Sequence, residues 1–267
     1  MDTQLFVICF LTFVIHLIGT LAYAVRIAGV RTRRIAISFA LFNILVLVSR
    51  TSNSFQGPFL AKRIEENIVA GVSHALLDDF RWILMSATIA TVVGALLIPT
   101  FQRIFSRAVL HFQVHRSIPQ LLLHGFFKGG LAQLKDVTSF PAATNVTQMR
   151  AGSGISPWVI IVNIAAVALW TIGVFASLYA GYLNPELRVT SSTLSSVVNG
   201  ASTIMMFILI DPHLSVMTDD VVDGKTSEPQ FRRAIVWLVG SRLAGTLLAQ
   251  VMLVPAAMVI VFVAKIM

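Results

Sequence analysis

Tyr23–Asn53 reads YAVRIAGVRTRRIAISFALFNILVLVSRTSN, two apolar runs separated by Arg26, Arg31, Arg33 and Arg34, with the second closed by Arg50-Thr51-Ser52-Asn53. Apolar runs of about 20 residues are the mark of transmembrane helices, and short basic connections mark the cytoplasmic side. The stretch therefore predicts a membrane hairpin whose connecting arginines set topology. Arg50 falls inside the polar end of the second run and is the functional candidate of the five.

Composition extends this reading to the whole chain. Of 267 residues, 56% are hydrophobic and only 12% charged, with a mean hydropathy of +0.82. Soluble domains carry about 25% charge. The formal charge of +8 does not indicate a nucleic-acid partner, because the arginines flank apolar spans and form no basic face with interleaved aromatics. The single cysteine, Cys9, lies within an apolar run, which excludes a disulfide framework or a cysteine metal cluster within one chain. The N-terminus resembles a secretory signal in its apolar region and its Ala22-Tyr23-Ala24, but the positive n-region is missing. An uncleaved first span is expected.

Six spans are predicted: Leu5 to Val25, Ile35 to about Phe55, Trp82 to Pro99, Trp158 to Leu183, Val189 to Ile210, and Ala234 to Ile266, the last tilted or kinked near Pro255. The fold class is thus an all-α polytopic membrane protein. Placing both termini outside the cytoplasm puts most Lys and Arg residues on the inner side. Phe101 to His115 reads as an interfacial amphipathic helix, with Phe101, Ile104, Phe105, Ala108 and Phe112 on one face. Ile118 to Leu134 continues on the inner leaflet. Thr138 to Pro157, rich in Ser, Thr, Gly, Ala and Pro, reads as a linker.

Short matches recur between the two halves. Phe80-Arg81 precedes Gly94-Ala95-Leu96-Leu97 by the interval at which Phe231-Arg232 precedes Gly245-Thr246-Leu247-Leu248, and Tyr23 precedes Asn43 as Tyr179 precedes Asn199. They point to two three-helix repeats, residues 1–115 and 156–267, joined by a cytoplasmic segment at 116–155. An odd number of spans per repeat inverts the second copy, a plan found in many transporters.

Ionisable groups at membrane depth are costly and face a cavity or a partner. Arg242, in the sixth run beside Gly240, Ser241 and Gly245, is the clearest, with Arg50 next. Structural pairing or snorkelling is the competing account of both. The 12 carboxylates lie in loops or at span ends, and only Asp211 adjoins an apolar run. One acid neutralises one arginine, which leaves a cation for an anionic ligand, and phosphate suits the guanidinium fork. Ser191, Ser195 and Asn199 recur at i, i+4 on the fifth span, either as a lining for a polyhydroxylated head group or as close helix packing. His16, in mid-span, is either a hydrogen-bonded neutral group or a charge partner for coupling. No Walker loop, HExxH, CxxC pair or GxSxG elbow occurs, so neither a nucleotide, a metal nor another cofactor is expected.

The opening MDTQLF together with LAYAVRIAGVRTRRIAISFALFNILVLVSRTSN resembles the Amj family of bacterial lipid II flippases, the alternate to the MurJ flippase. The resemblance covers the whole chain. It implies a multi-pass protein of the bacterial cell membrane that serves cell-wall biogenesis and cell shape by moving the undecaprenyl-pyrophosphate-linked peptidoglycan precursor between leaflets. It supplies no established functional residues. On that substrate, Arg50 and Arg242 are expected at the pyrophosphate, Asn43, Asn53, Ser191, Ser195 and Asn199 at the head group, and Arg26, Arg31, Arg33 and Arg34 at the cytoplasmic mouth. His16 and Asp211 are the expected charge partners or coupling groups. The partners are lipid II and membrane lipids, with homo-oligomerisation left open. A polyprenyl-pyrophosphate enzyme is the rival, but it needs an acid or base beside the phosphates. A membrane scaffold or regulator is the third reading.

Overall fold

A computed structural model describes residues 2–70, 75–115, 138–139, 141 and 154–267. The expected inner-leaflet segment Ile118 to Leu134, most of the linker, and hence most of the joining segment 116–155, lie outside the described residues. Helices dominate what is described: α1 (Thr3–Thr32), α2 (Ile35–Ala70), α3 (Ala75–His115), α4 (Pro157–Leu183), α5 (Arg188–Thr193), α6 (Ser195–Ile204), α7 (Asp211–Val222) and α8 (Glu228–Ile266). A short 3-10 turn, Pro185–Leu187, precedes α5, and a π-helical segment, Met205–Ile210, joins α6 to α7. These make six spans long and apolar enough to cross a membrane, the fifth being the composite Pro185–Val222.

The opening hairpin forms as the sequence indicates, but with a shorter connection. Asp2 caps α1 by accepting from the Leu5 amide at 2.8 Å, and that amide together with Arg63 holds its carboxyl below the usual carboxylate range. At the other end Arg33 takes a left-handed φ of 52°, and the Arg33 and Arg34 amides return to the Val30 and Gly29 carbonyls at 3.1 and 3.0 Å. This satisfies carbonyls that the helix end would leave open. Ser38 at the start of α2 donates to the Val25 carbonyl at 2.8 Å. Arg26 and Arg31 consequently lie within α1, and only Arg33 and Arg34 form the connection.

Other helices also outrun their sequence boundaries. α2 continues past Phe55 to Ala70 with Pro58 inside it. The charged string Lys62 to Glu66 is helical because its partners are at hand: Arg63 binds Asp79 at 2.6 Å and Asp2 at 2.7 Å. α3 runs through Pro99 to His115 as one helix, so the amphipathic stretch is its continuation. Its apolar face is taken up by packing, with Phe105 and Val109 buried against Ile18, Val25, Leu41 and Phe42. The fifth span continues beyond Ile210. Pro212 falls in the first turn of α7, where its missing N–H costs nothing.

α1 is the axis of the assembly. Its start packs Leu5 and Ile8 with Phe80, Phe175 and Leu253, and its end packs Tyr23 and Ile27 with Val159, Phe231 and Leu238. Its middle supplies the Ile18 and Val25 contacts above. Many large side chains face outward, among them Phe10, Trp82, Ile89, Phe207, Val251 and Phe262, as a surface solvated by lipid permits. Association inside a bilayer relies on close approach at small residues. Gly94 lies against Thr20 of α1, where an added Cβ would meet the threonine Cβ at 2.8 Å. At Gly245 of α8, the same atom would meet the Ile164 carbonyl oxygen and the Val167 Cβ of α4, both at 2.8 Å.

Gly245→Val should therefore push α8 off α4 and lower stability by about 1–3 kcal/mol, the usual cost of overpacking. Gly240→Ala, on the same helix with nothing within 4 Å, should leave stability unchanged or slightly raised. Thermal unfolding of the two variants in one detergent separates the outcomes.

Candidate functional site

A cavity of about 310 Å³ lies between α2 and the fifth span, with α1, α4 and α8 behind it. α2 contributes Phe42, Val46 and Ser49, and the fifth span contributes Met206, Phe207, Ile210, Asp211 and Leu214. α2 and the fifth span meet at one end through the Glu65–Arg188 ion pair at 3.9 Å, and with no close packing between their backbones among the described residues the cavity opens sideways between them. The π-helical segment Met205–Ile210 forms much of one wall. π-bulges of this kind recur at functional sites.

Two buried arginines face this cavity and differ in their company. Arg26 forms an ion pair with Asp211 at 2.9 Å, their side chains 10% and 40% exposed, and its guanidinium lies 5.0 Å from the Phe39 ring centre. Arg242 has no ion pair among the described residues. Its Nε donates to the Thr20 hydroxyl at 3.2 Å, and that hydroxyl donates to the His16 carbonyl at 2.8 Å. The terminal amino groups of Arg242 have no hydrogen-bond partner among the described residues, and they border the cavity. Gly19 makes the placement feasible, since a Cβ there would collide with the guanidinium. Asn163 stands beside it, donating to Ser241 Oγ at 2.6 Å and to the Leu238 carbonyl at 3.2 Å.

A smaller, more polar space of about 30 Å³ continues toward the start of α1, lined by Thr12, His16, Asn53, Gln56, Thr171 and Asn199 among others. Ile15 and Trp170 border both spaces and form the partition between them. Gln56 donates to the Thr12 hydroxyl. His16 Nδ1 and Asn199 Oδ1 are buried without a hydrogen-bond partner, and Asn199 is seated against Gly173 where a Cβ would intrude. Buried polar atoms without partners are rare and call for an explanation. These two residues, from α1 and α6, both line the one small space.

The structure thus gathers some of the expected residues and separates others. Arg242, Asp211 and Arg26 share the large cavity, while His16, Asn53 and Asn199 share the small one. Arg50 joins neither lining. It is exposed on the middle of α2, not at the end of a span, roughly a quarter-turn round from the Phe42, Val46, Ser49 and Asn53 stripe. Asn43 lies on the same flank, seven residues earlier. Within the fifth span Ser191 is buried and Ser195 half-buried; neither lines the large or the small space. Arg26 belongs to the cavity wall and not to a loop at its mouth, because α1 extends to Thr32. Arg31 pairs with Glu228 at 2.9 Å, leaving Arg33 and Arg34 exposed at the connection.

Residues 11–264 match the family Amj, Alternate to MurJ. The chain belongs to the Amj family. A curated member of it, "Lipid II flippase Amj" of Bacillus subtilis (strain 168), is 38% identical over 267 residues, covering 98% of this chain and 96% of the relative. No solved structure matches. Membership and the six apolar helices agree that this Amj-family chain is a multi-pass membrane protein. Several members of the site, namely Gly19, Thr20, Gln56, Asn163 and Trp170, were not singled out from sequence. Asn163, a lone amide in the apolar start of α4, carried a legible signal. The glycine did not, because its role exists only once Arg242 arrives from 222 positions away in the Arg242–Thr20 contact.

Asp211→Ala should strand the Arg26 guanidinium in the wall and cost about 2 kcal/mol, less than a fully buried pair because Asp211 is partly open. The double variant Arg26→Met/Asp211→Ala should recover most of that loss. A thermal-unfolding cycle over the four proteins reads the coupling.

Proposed function

We propose that this protein is a lipid II flippase, carrying the undecaprenyl-pyrophosphate-linked peptidoglycan precursor from the inner to the outer leaflet of the bacterial cell membrane. The observation that carries the reading is Arg242: a buried cation at a cavity wall, unneutralised, beside a second arginine that has its own acid. A cation kept in this state is ready for an anion, and pyrophosphate offers the acceptor oxygens that a guanidinium fork binds best. The name of the Bacillus subtilis relative supports the same substrate.

The other parts of the substrate find matching surroundings. The unpartnered polar atoms of His16 and Asn199, with Asn53 and Gln56, suit the hydroxyl and amide groups of an amino sugar. The gap between α2 and the fifth span leaves the isoprenoid in lipid while the phosphates stay within. A volume of about 310 Å³ is at the lower end of ligand cavities and takes the pyrophosphate with its adjoining groups, the remainder projecting through the opening. Arg50, on the flank of that opening, is a second cation for the phosphates as they enter or leave. Ser191 and Ser195 are set behind the wall and act through helix packing.

Orientation follows with α1 starting outside. Arg31, Arg33, Arg34, Arg103, Lys225 and Arg232 then gather at the cytoplasmic end, and the wide cavity lies nearer that end than the pinched polar space. The packing scheme supports two repeats: α1 packs on α2 and α3, and α4 packs on the fifth span and α8. Rocking one three-helix unit against the other would open the Ile15–Trp170 partition and close the inner side, which is alternating access.

Translocation of labelled lipid II by the purified protein in liposomes, with and without a membrane potential, tests the proposal. Arg242→Gln should slow transport at least about tenfold through loss of charge-assisted hydrogen bonds, with Arg242→Lys intermediate. Undiminished transport by a well-expressed Arg242→Gln protein would sink the role of that residue. Release of inorganic phosphate from the lipid would replace the transporter by an enzyme.

A further inference from the structure

A separate concavity of about 480 Å³ opens where the end of α1 meets the second half of α3, bordered by Arg31, Thr32, Arg103, Ser106, Arg107 and Leu110. Arg103, Ser106, Arg107 and Leu110 recur at i, i+3, i+4 and i+7, a single stripe on α3. Arg31 follows Arg26 by five residues, about 140° round α1, so this concavity faces away from the transport cavity. Arg103 lies about 42 Å along α3 from Ala75, beyond the roughly 30 Å hydrocarbon layer.

The charges here are out of balance. Arg103 and Arg107 are exposed and enter no ion pair or hydrogen bond with a described side chain. Like charges at i, i+4 repel on a helix. Arg31 has Glu228 at 2.9 Å, but that carboxylate also binds Arg232 at 2.7 Å. Three guanidiniums therefore border a space, and among the described residues the one acid paired with any of them, Glu228, is already shared. The neighbouring hydroxyls add no donors: Thr32 donates to the Ala28 carbonyl at 2.8 Å and Ser106 to the Gln102 carbonyl at 2.7 Å. Among the described residues the donors a ligand meets here are guanidinium groups, which favours an anion rich in acceptor oxygens over a neutral sugar or amide. Leu110, exposed at the end of the stripe, gives that anion an apolar neighbour.

We infer that this concavity binds the phosphate of an anionic bilayer lipid, with Arg31, Arg103 and Arg107 on the phosphate oxygens and Leu110 beside the start of an acyl chain. A phosphate carried by the polyprenyl substrate has the same chemistry, but the concavity turns away from the cavity that holds Arg242. Lipid anions of the inner leaflet attract basic side chains at this depth.

The test is native mass spectrometry of the full-length protein titrated with phosphatidylglycerol, phosphatidylcholine and undecaprenyl pyrophosphate. The wild type should prefer phosphatidylglycerol to phosphatidylcholine. Arg103→Gln/Arg107→Gln should weaken phosphatidylglycerol binding about thirtyfold and leave undecaprenyl pyrophosphate unchanged. Arg103→Lys/Arg107→Lys should recover most of the affinity, since the charge is kept and only the fork is lost. Equal binding of both phospholipids overturns the inference, as does phosphatidylglycerol binding that survives the glutamines. Loss of undecaprenyl pyrophosphate alone would make the concavity a station for substrate instead. Equal losses in the lysine and glutamine pairs would assign the arginines to folding.

Discussion

Holding the Arg242 guanidinium at membrane depth, with no carboxylate partner among the described residues, is the constraint around which this protein is arranged. The charge needs one fixed contact to orient it and one open side to keep it solvated or ligand-bound. Thr20 provides the contact, and Thr20 is itself anchored to the His16 carbonyl and pressed against Gly94 of α3. Gly19 removes the side chain that would occupy the guanidinium's place. One turn of α1 thus joins α3 on one face and α8 on another, and it does so at the cavity. Structural packing and site geometry are not separable at these residues.

The contrast between Arg26 and Arg242 shows how a protein short of acids divides its cations. A buried ion pair adds little net stability, because desolvation offsets attraction. Its effect is to fix position: Asp211 brings the end of the π-helical segment against α1, which sets the width of the cavity. The unpaired arginine then experiences a wall held in place by the paired one.

Much of this was legible in sequence because membrane spans announce themselves by composition. The sequence predicts the fourth span as Trp158 to Leu183, and it forms Pro157–Leu183. The arginine hairpin is visible in its pattern, and Arg242 stands out by its apolar setting. Where the reading fell short, the deciding partner was distant. Lys62 to Glu66 looks like a loop until Asp79 and Asp2 are beside Arg63. Pro99 looks like a helix end, yet transmembrane helices tolerate interior proline when neighbours hold them. Arg26 looks topological because Asp211, its partner, is 185 residues away. Arg50 looks close to a span end only because the apolar run closes near Phe55, whereas α2 continues to Ala70.

The two walls of the cavity also differ as mechanical elements. α2 is one uninterrupted helix tied to α1 by a two-residue connection with its carbonyls satisfied. The fifth span is assembled from a 3-10 turn, two short helices, a π-helical segment and a final helix, each junction a place where hydrogen-bond spacing changes. A beam of that kind bends at its joints, while α2 keeps one hydrogen-bond spacing along the Phe42–Ser49 stretch that lines the cavity, ahead of Pro58. The stiff wall sets the register of the cavity, and the jointed wall lets its width follow whatever lies inside.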